Sequence, residues 1–148
     1  MSLKNIGPEK ANEILTTEKD AGYIDVRTEQ EFANGHVPGS FNIPVVEPNP
    51  ATGQMTPNPE FVRIVSSHFG KDKKIIAGCQ AGGRSQFAGE MLVSEGFLDV
   101  SNMQGGFGGA RDPMGRVVAP GWTQLNLPVE TELKEERTYS GLRKNTSL

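Results

Sequence analysis

The stretch "KKIIAGCQAGGRS", residues 73–85, decides how the rest of the chain is read. Its first part, residues 73–78, is a short run rich in apolar residues, the pattern of a strand buried on both faces. A glycine-rich turn follows. From Arg84 onward "RSQFAGEMLVSEG" predicts a helix, with Phe87, Ala88, Met91 and Leu92 on one face and Gly96 past its end. Strand, tight turn and helix in that order form half of a parallel crossover unit. In sheets built from such units, ligands bind beyond the carboxyl ends of the strands. Cys79, the only cysteine of the chain, stands at that edge.

Moving outward, the same alternation repeats. Residues 7–22 predict a first helix, with Pro8 near its start and Gly22 after its end. "YIDV" (23–26) reads as a strand. "RTEQEFANG" reads as a short helix, with Thr28 as N-cap and Glu31 three residues on. "SFNIPV" is a second strand cut by Pro44. The next fourteen residues, 46–59, hold four prolines and no periodicity, and predict a surface loop. "NPEFVRIVSSHFG" predicts a helix capped by Asn58, with Pro59 in its first position and Gly70 past its end. "FLDVSNM" is a further strand. Residues 104–122 are glycine-rich and read as mostly loop. The expectation is a single α/β domain over residues 1–129, with a mostly parallel sheet, and a polar tail over 130–148 carrying little core signal.

Bulk properties narrow the function. The chain has 148 residues, enough for one real core, and a net charge of −3. That charge leaves no electrostatic footprint for nucleic acid. No apolar run approaches the roughly 18 residues of a membrane span. No secretory signal is visible, so the expected compartment is the cytoplasm, or an organelle lumen if a targeting segment has been removed. One cysteine excludes an internal disulfide, and with two histidines far apart, His36 and His68, no metal motif is present.

The thiol loop itself suits anionic sulfur chemistry. Gly82 and Gly83 open backbone conformations closed to other residues. A loop of that kind turns successive N–H groups inward as an anion-binding nest, and the helix that follows adds its unpaired N-terminal amides. Such surroundings favour a thiolate over a thiol. Arg84 adds a permanent charge at a helix start, where a cation is mildly unfavourable unless an anion binds nearby.

"CQAGGRS" resembles the active-site loop of the rhodanese family of sulfurtransferases. "YIDVRTEQEFANGHVPGSFNIP" (23–44) resembles the family's N-terminal signature, "NMQGGFGGA" (102–110) its glycine-rich segment, and Trp122 with "LNLP" its closing stretch. The likeness runs from Ile6 to Val129 and is strongest to single-domain rhodaneses of plants and bacteria. It implies a three-layer α/β fold, with helices on both faces of a mostly parallel sheet. It implies Cys79 as the nucleophile that becomes a persulfide, and the loop residues Gln80, Ala81, Gly82, Gly83 and Ser85 as the cradle of the transferred sulfur. Arg84 is implied as the group that holds an anionic donor. The partners implied are a small anionic sulfur donor and a cyanide or thiol acceptor, possibly a thiol protein. No metal or organic cofactor is implied, and a monomer is expected.

The remaining residues read as support. Asp25 is expected to bond backbone amides of neighbouring loops, and Arg27 to pair with Glu31 four residues on. His36 reads as a hydrogen-bond partner in a turn, and Trp122 as core or pocket wall. Two rival readings remain. One is a regulatory rhodanese module. The other is a Cys-based phosphatase or arsenate reductase, whose loop places five residues between Cys and Arg. Here four separate Cys79 from Arg84, a tighter bowl fitted to one sulfur atom, and Gly78 stands where such phosphatases usually carry histidine.

Overall fold

A computed structural model describes residues 2–146. Five parallel strands form the central sheet in the order β1-β7-β6-β2-β3. They are β1 (Lys4–Ile6), β2 (Gly22–Asp25), β3 (Phe41–Asn42), β6 (Lys74–Gly78) and β7 (Asp99–Met103). The helices are α1 (Pro8–Thr17), α2 (Glu29–Ala33), α3 (Phe61–His68), α4 (Gly83–Ser94) and α5 (Tyr139–Lys144). Two small antiparallel hairpins stand apart, β4 (Val46–Pro48) with β5 (Met55–Pro57), and β8 (Ala110–Arg111) with β9 (Val117–Ala119).

The two-residue period of the strands sorts the core into two layers. Ile24, Ile75 and Val100 point to one face and pack with Phe61, Ile64 and Val65 of α3, Ala88 and Leu92 of α4, and Tyr139 and Leu142 of α5. Tyr23, Ile76 and Met103 point to the other and meet Ala11 and Ile14 of α1, with Trp122. Helices therefore cover both faces of the sheet, the three-layer α/β arrangement. Strand β6 lies between β2 and β7, so its carboxyl end, where Cys79 follows, opens at the middle of the sheet edge.

Several local readings need correction. β1 escapes sequence reading because Lys4 and Asn5 are exposed on an edge strand with a single inward apolar residue. α1 stops at Thr17, where Glu18 turns to extended backbone (φ −114°, ψ 98°) while its amide closes the last helical bond to Ile14 O. α3 begins at Phe61, not at Pro59. Asn58 instead accepts from the Glu60 amide at 3.0 Å and donates to Pro44 O and the Tyr139 hydroxyl, which locks a turn ahead of the helix. The proline-rich stretch is not all loop. Its ends pair as β4–β5, a ribbon where prolines cost no central ladder bond. The glycine-rich stretch likewise contains β8–β9.

On α4 the buried set is Ser85, Ala88, Gly89 and Leu92, while Phe87 is 44% exposed. A side chain at Gly89 would collide with Leu3, so the N-terminal segment packs directly on the helix backbone. The segment after Val129 is also not a bare polar tail. The Asn42 amide donates to Arg137 O at 2.9 Å, and Tyr139 and Leu142 enter the larger core layer.

Candidate functional site

Cys79 is the first residue past β6 and is only 2% exposed. Its sulfur meets two polar groups, of which the Gly82 amide is the donor. The Gly82 amide lies 3.0 Å from Sγ and the Ser85 hydroxyl 3.4 Å from it. The first contact depends on Gly82 having φ +116°, a left-handed conformation that turns its N–H back onto the sulfur. Gly82 is also the N-cap of α4, so the helix starts immediately beyond the thiol. Behind Cys79, a side chain at Gly78 would run into the Tyr23 hydroxyl. Burial, and then the nearby Asp25 charge, push the Tyr23 phenol well above its ordinary range, so it stays neutral beneath the loop.

The Ser85 hydroxyl is held from below. Its Oγ lies 2.5 Å from Asn102 Oδ1 and 3.2 Å from Gly82 O. Asn102, on β7 in register with Ala77 of β6, donates in turn to Asn5 Oδ1 of β1 at 3.1 Å. A polar chain thus runs from Asn5 of β1 through Asn102 of β7 to the Ser85 side chain beside the sulfur. Sequence reading missed Asn102 and Asn5. The visible signal was "SN" near the carboxyl end of a strand that otherwise reads as core.

The glycine-rich segment clasps the loop from above. Phe107 N donates to Cys79 O at 2.8 Å, and Gly108 N to Gln80 O at 2.9 Å. Gly106 lies so near these carbonyls that a Cβ would overlap them, so only glycine allows the clasp. Gln80 is fixed at its other end by Arg27, whose Nη1 donates to Gln80 Oε1 at 3.1 Å.

Arg27 is the hub of the floor. Its guanidinium makes a fork with Asp25, at 3.0 Å from Nε and 2.8 Å from Nη2, and donates to Gly35 O at 2.7 Å. It also stacks 4.5 Å from the centre of the Phe107 ring. Asp25 accepts from the Arg27 amide at 3.0 Å as well, in keeping with its reading as a support for loop backbone. The expected Arg27–Glu31 pair does not form. α2 begins only at Glu29, so Arg27 lies outside the helix and the four-residue spacing has no helical geometry to act through.

Glu31 pairs with Arg84 instead. Arg84 Nη1 and Nη2 donate to Glu31 Oε1 and Oε2 at 2.7 and 3.0 Å. The two side chains are 27% and 32% exposed, at the rim of the loop. These bonds hold the Glu31 carboxyl down to about 2, against burial, with help from the Thr28 amide. Arg84 is therefore not the lone charge that its position in the sequence suggests.

His36 is buried and structural: Nδ1 shares a 2.7 Å bond with Phe32 O, and the ring stacks on Phe32 with centroids 3.7 Å apart. Trp122 is core, its Nε1 donating to Pro128 O at 2.6 Å. No group of three or more His, Cys, Asp or Glu side chains is arranged to hold a metal among the described residues. No helix among them is long and apolar enough to cross a membrane.

Two clefts flank the loop. One, of about 330 Å³, is walled by Gly82, Gly83, Gln86, Asn102 and Gln104, with no charged side chain. The other, of about 370 Å³, is lined by Arg27, Glu31, Asn34, Gly35, Gln80 and Phe107.

Comparison with known proteins places this arrangement among relatives. Residues 7–111 match the profile of the Rhodanese-like domain. Thiosulfate sulfurtransferase 16, chloroplastic, of Arabidopsis thaliana is 46% identical over 85 residues, 57% of this chain and 69% of that protein. Thiosulfate sulfurtransferase GlpE of Pseudomonas fluorescens is 34% identical over 105 residues, 71% of this chain and 82% of that protein. The match to a senescence-associated protein of Raphanus sativus, 41% identical, spans 74% of this chain but about half, 54%, of that longer protein. Among solved structures, the crystal structure of Rv0390 from Mycobacterium tuberculosis superposes with a TM-score of 0.73 at 25% identity, over 89% of this chain and all of that one.

Proposed function

The chain belongs to the rhodanese-like domain family, and on that ground we propose that it is a sulfurtransferase, moving sulfane sulfur from a donor such as thiosulfate to cyanide or a thiol through a persulfide on Cys79. Relatives named thiosulfate sulfurtransferase support the reaction class. The single observation that carries the proposal is a thiol at the carboxyl edge of the central strand, with the Gly82 amide 3.0 Å from its sulfur.

In the first half-reaction the Cys79 thiolate attacks the outer sulfur of thiosulfate. A bond forms between Sγ and that sulfur, the donor's S–S bond breaks, and its electron pair leaves with sulfite. The product is Cys–S–S⁻. In the second half-reaction cyanide attacks the outer sulfur, a C–S bond forms, thiocyanate departs and the thiolate returns. Charge balances in each step and no proton is required. The two halves share one enzyme intermediate, which gives ping-pong kinetics.

Anionic charge moves from Sγ to the outer sulfur as the first step proceeds. The amides of the Gln80–Ser85 loop, with that of Gly82 already on the sulfur, are the preorganised donors for that charge, at no reorganisation cost during the reaction. Arg84, at the end of the loop, faces the donor's sulfonate end. A small thiol or a thiol-bearing protein fits the acceptor role, since attack needs only access to the outer sulfur.

The test is steady-state sulfur transfer to cyanide, with thiosulfate and 3-mercaptopyruvate compared as donors. Thiocyanate should form with at least one of them, and Cys79→Ser should form none. Turnover retained by Cys79→Ser would remove the persulfide mechanism.

A further inference from the structure

We propose that Glu31 is a specificity-determining residue: its carboxylate clamps and neutralises Arg84 at the rim of the sulfur loop, so that the site disfavours a doubly charged donor and favours donors of lower charge. The inference rests on the sulfurtransferase reading above and names the class of donor it serves.

Three observations carry it. First, Glu31 is fixed before it meets Arg84. Its Oε1 accepts from the Thr28 amide and hydroxyl, both at 3.1 Å, while the Thr28 hydroxyl accepts from the Glu31 amide, a reciprocal capping box. The carboxylate is therefore a stop built on the first turn of α2, not a side chain that swings to find a partner. Second, Arg84 meets it fork to fork, at 2.7 and 3.0 Å, the geometry in which a guanidinium is most fully occupied. Third, the surroundings supply no replacement charge. Arg27, the other cation beside the loop, is committed to Asp25, and the uncharged cleft offers only amides and small side chains.

A dianion arriving at the loop thus meets a neutral pair, not a free guanidinium. Arg84 keeps outward N–H groups for one contact, but its charge is cancelled by the carboxylate beside it. A thiosulfonate, with one charge, loses less from that cancellation than thiosulfate does.

The experiment measures kcat/KM for thiosulfate and for benzenethiosulfonate, with cyanide as acceptor, in the unmodified protein and in Glu31→Gln. Gln retains an oxygen for the Thr28 amide but releases Arg84. The expected result is a rise of about tenfold for thiosulfate, the size of a recovered charge-assisted contact, and of about threefold or less for benzenethiosulfonate. In an Arg84→Ala background the same substitution should change thiosulfate by less than twofold, which separates action through Arg84 from a general loss of negative charge. Equal changes for the two donors, or a fall for both through kcat, would mean that Glu31 only supports the fold, and would overturn the proposal. If Glu31→Gln does not fold, Arg84→Ala alone decides. A rise in thiosulfate KM of about threefold or less supports the clamp, and a tenfold rise overturns it. Absence of transfer from both donors in the unmodified protein would overturn the sulfurtransferase reading itself, a result distinct from an unchanged donor preference.

Discussion

The floor and the rim of the thiol loop each carry an arginine paired with a carboxylate, and burial gives the two pairs different work. On the floor, Arg27 and Asp25 have side chains 3% and 2% exposed, and Arg27 also holds Gln80, Gly35 and Phe107. At the rim, Arg84 and Glu31 are about a third exposed and hold chiefly each other. A buried pair repays its desolvation only when every lone pair and proton is satisfied, and breaking it leaves an uncompensated charge. An exposed pair adds little stability. The floor therefore sets loop shape, and the rim sets what the loop admits.

The largest effect should come from breaking the floor. Arg27→Ala leaves Asp25 buried without its partner, at a cost of about 3–5 kcal/mol. Thermal unfolding should show Tm lower by roughly 10–20 °C. Activity should fall with it, because Gln80 and Phe107 lose a common anchor. A Tm within about 2 °C of the unmodified protein would erase the contrast between floor and rim.

A smaller effect should come from the polar chain beneath the sulfur. Ser85→Ala should lower kcat about tenfold or less, since the sulfur loses a polar neighbour at 3.4 Å while the Gly82 donor stays. Asn102→Ala frees the Ser85 proton that Asn102 Oδ1 accepts at 2.5 Å, so its loss should be smaller than that of Ser85→Ala. The double variant should lose little beyond Ser85→Ala alone, since both act through one hydroxyl. Full additivity of the two losses would place Asn102 outside this chain.

Arg84→Ala should change function more than fold. Tm should move by about 4 °C or less, in line with a pair worth ~0–1 kcal/mol. The KM for thiosulfate should rise about threefold, with kcat nearly unchanged. A large fall in Tm would move Arg84 to the structural side of the comparison.

The smallest effect concerns pH. Arg84 holds the folded Glu31 carboxyl at about 2, below the roughly 4.3 of an unfolded glutamate. A depressed carboxyl contributes stability above its unfolded value and loses it as pH falls through the folded one. The rim pair is thus intact above about pH 5, and its contribution fades between about pH 4.3 and 2. In Glu31→Gln, the acid limb of a stability-against-pH curve should flatten in that window alone. A difference in its slope between pH 5 and 8 would contradict the assignment.

How much of this was legible in the sequence depends on range. The unit around Cys79 reads correctly because strand and helix periods meet at a glycine turn, so the thiol falls at the sheet edge without tertiary information. The glycine-rich segment was legible only as loop, because repeated glycines permit a close backbone approach without naming what is approached. Side-chain partnership was not legible. A local spacing rule joins Arg27 to Glu31, but the helix starts too late for the rule to apply, and both residues choose partners brought by the sheet or by α4. Asn102 looks like any polar residue in a strand until the register sets it beneath Ser85. The two apolar residues of α5 are too few to signal a helix that returns to the core. The edge strand β1, three residues long, is too short to show a period.

The most direct test of the account is the intact mass of the protein after incubation with thiosulfate and removal of the excess. The account predicts a gain of one sulfur atom, stripped by cyanide with release of thiocyanate and absent from Cys79→Ser. No gain in the unmodified protein, or a gain that survives in Cys79→Ser, would contradict it.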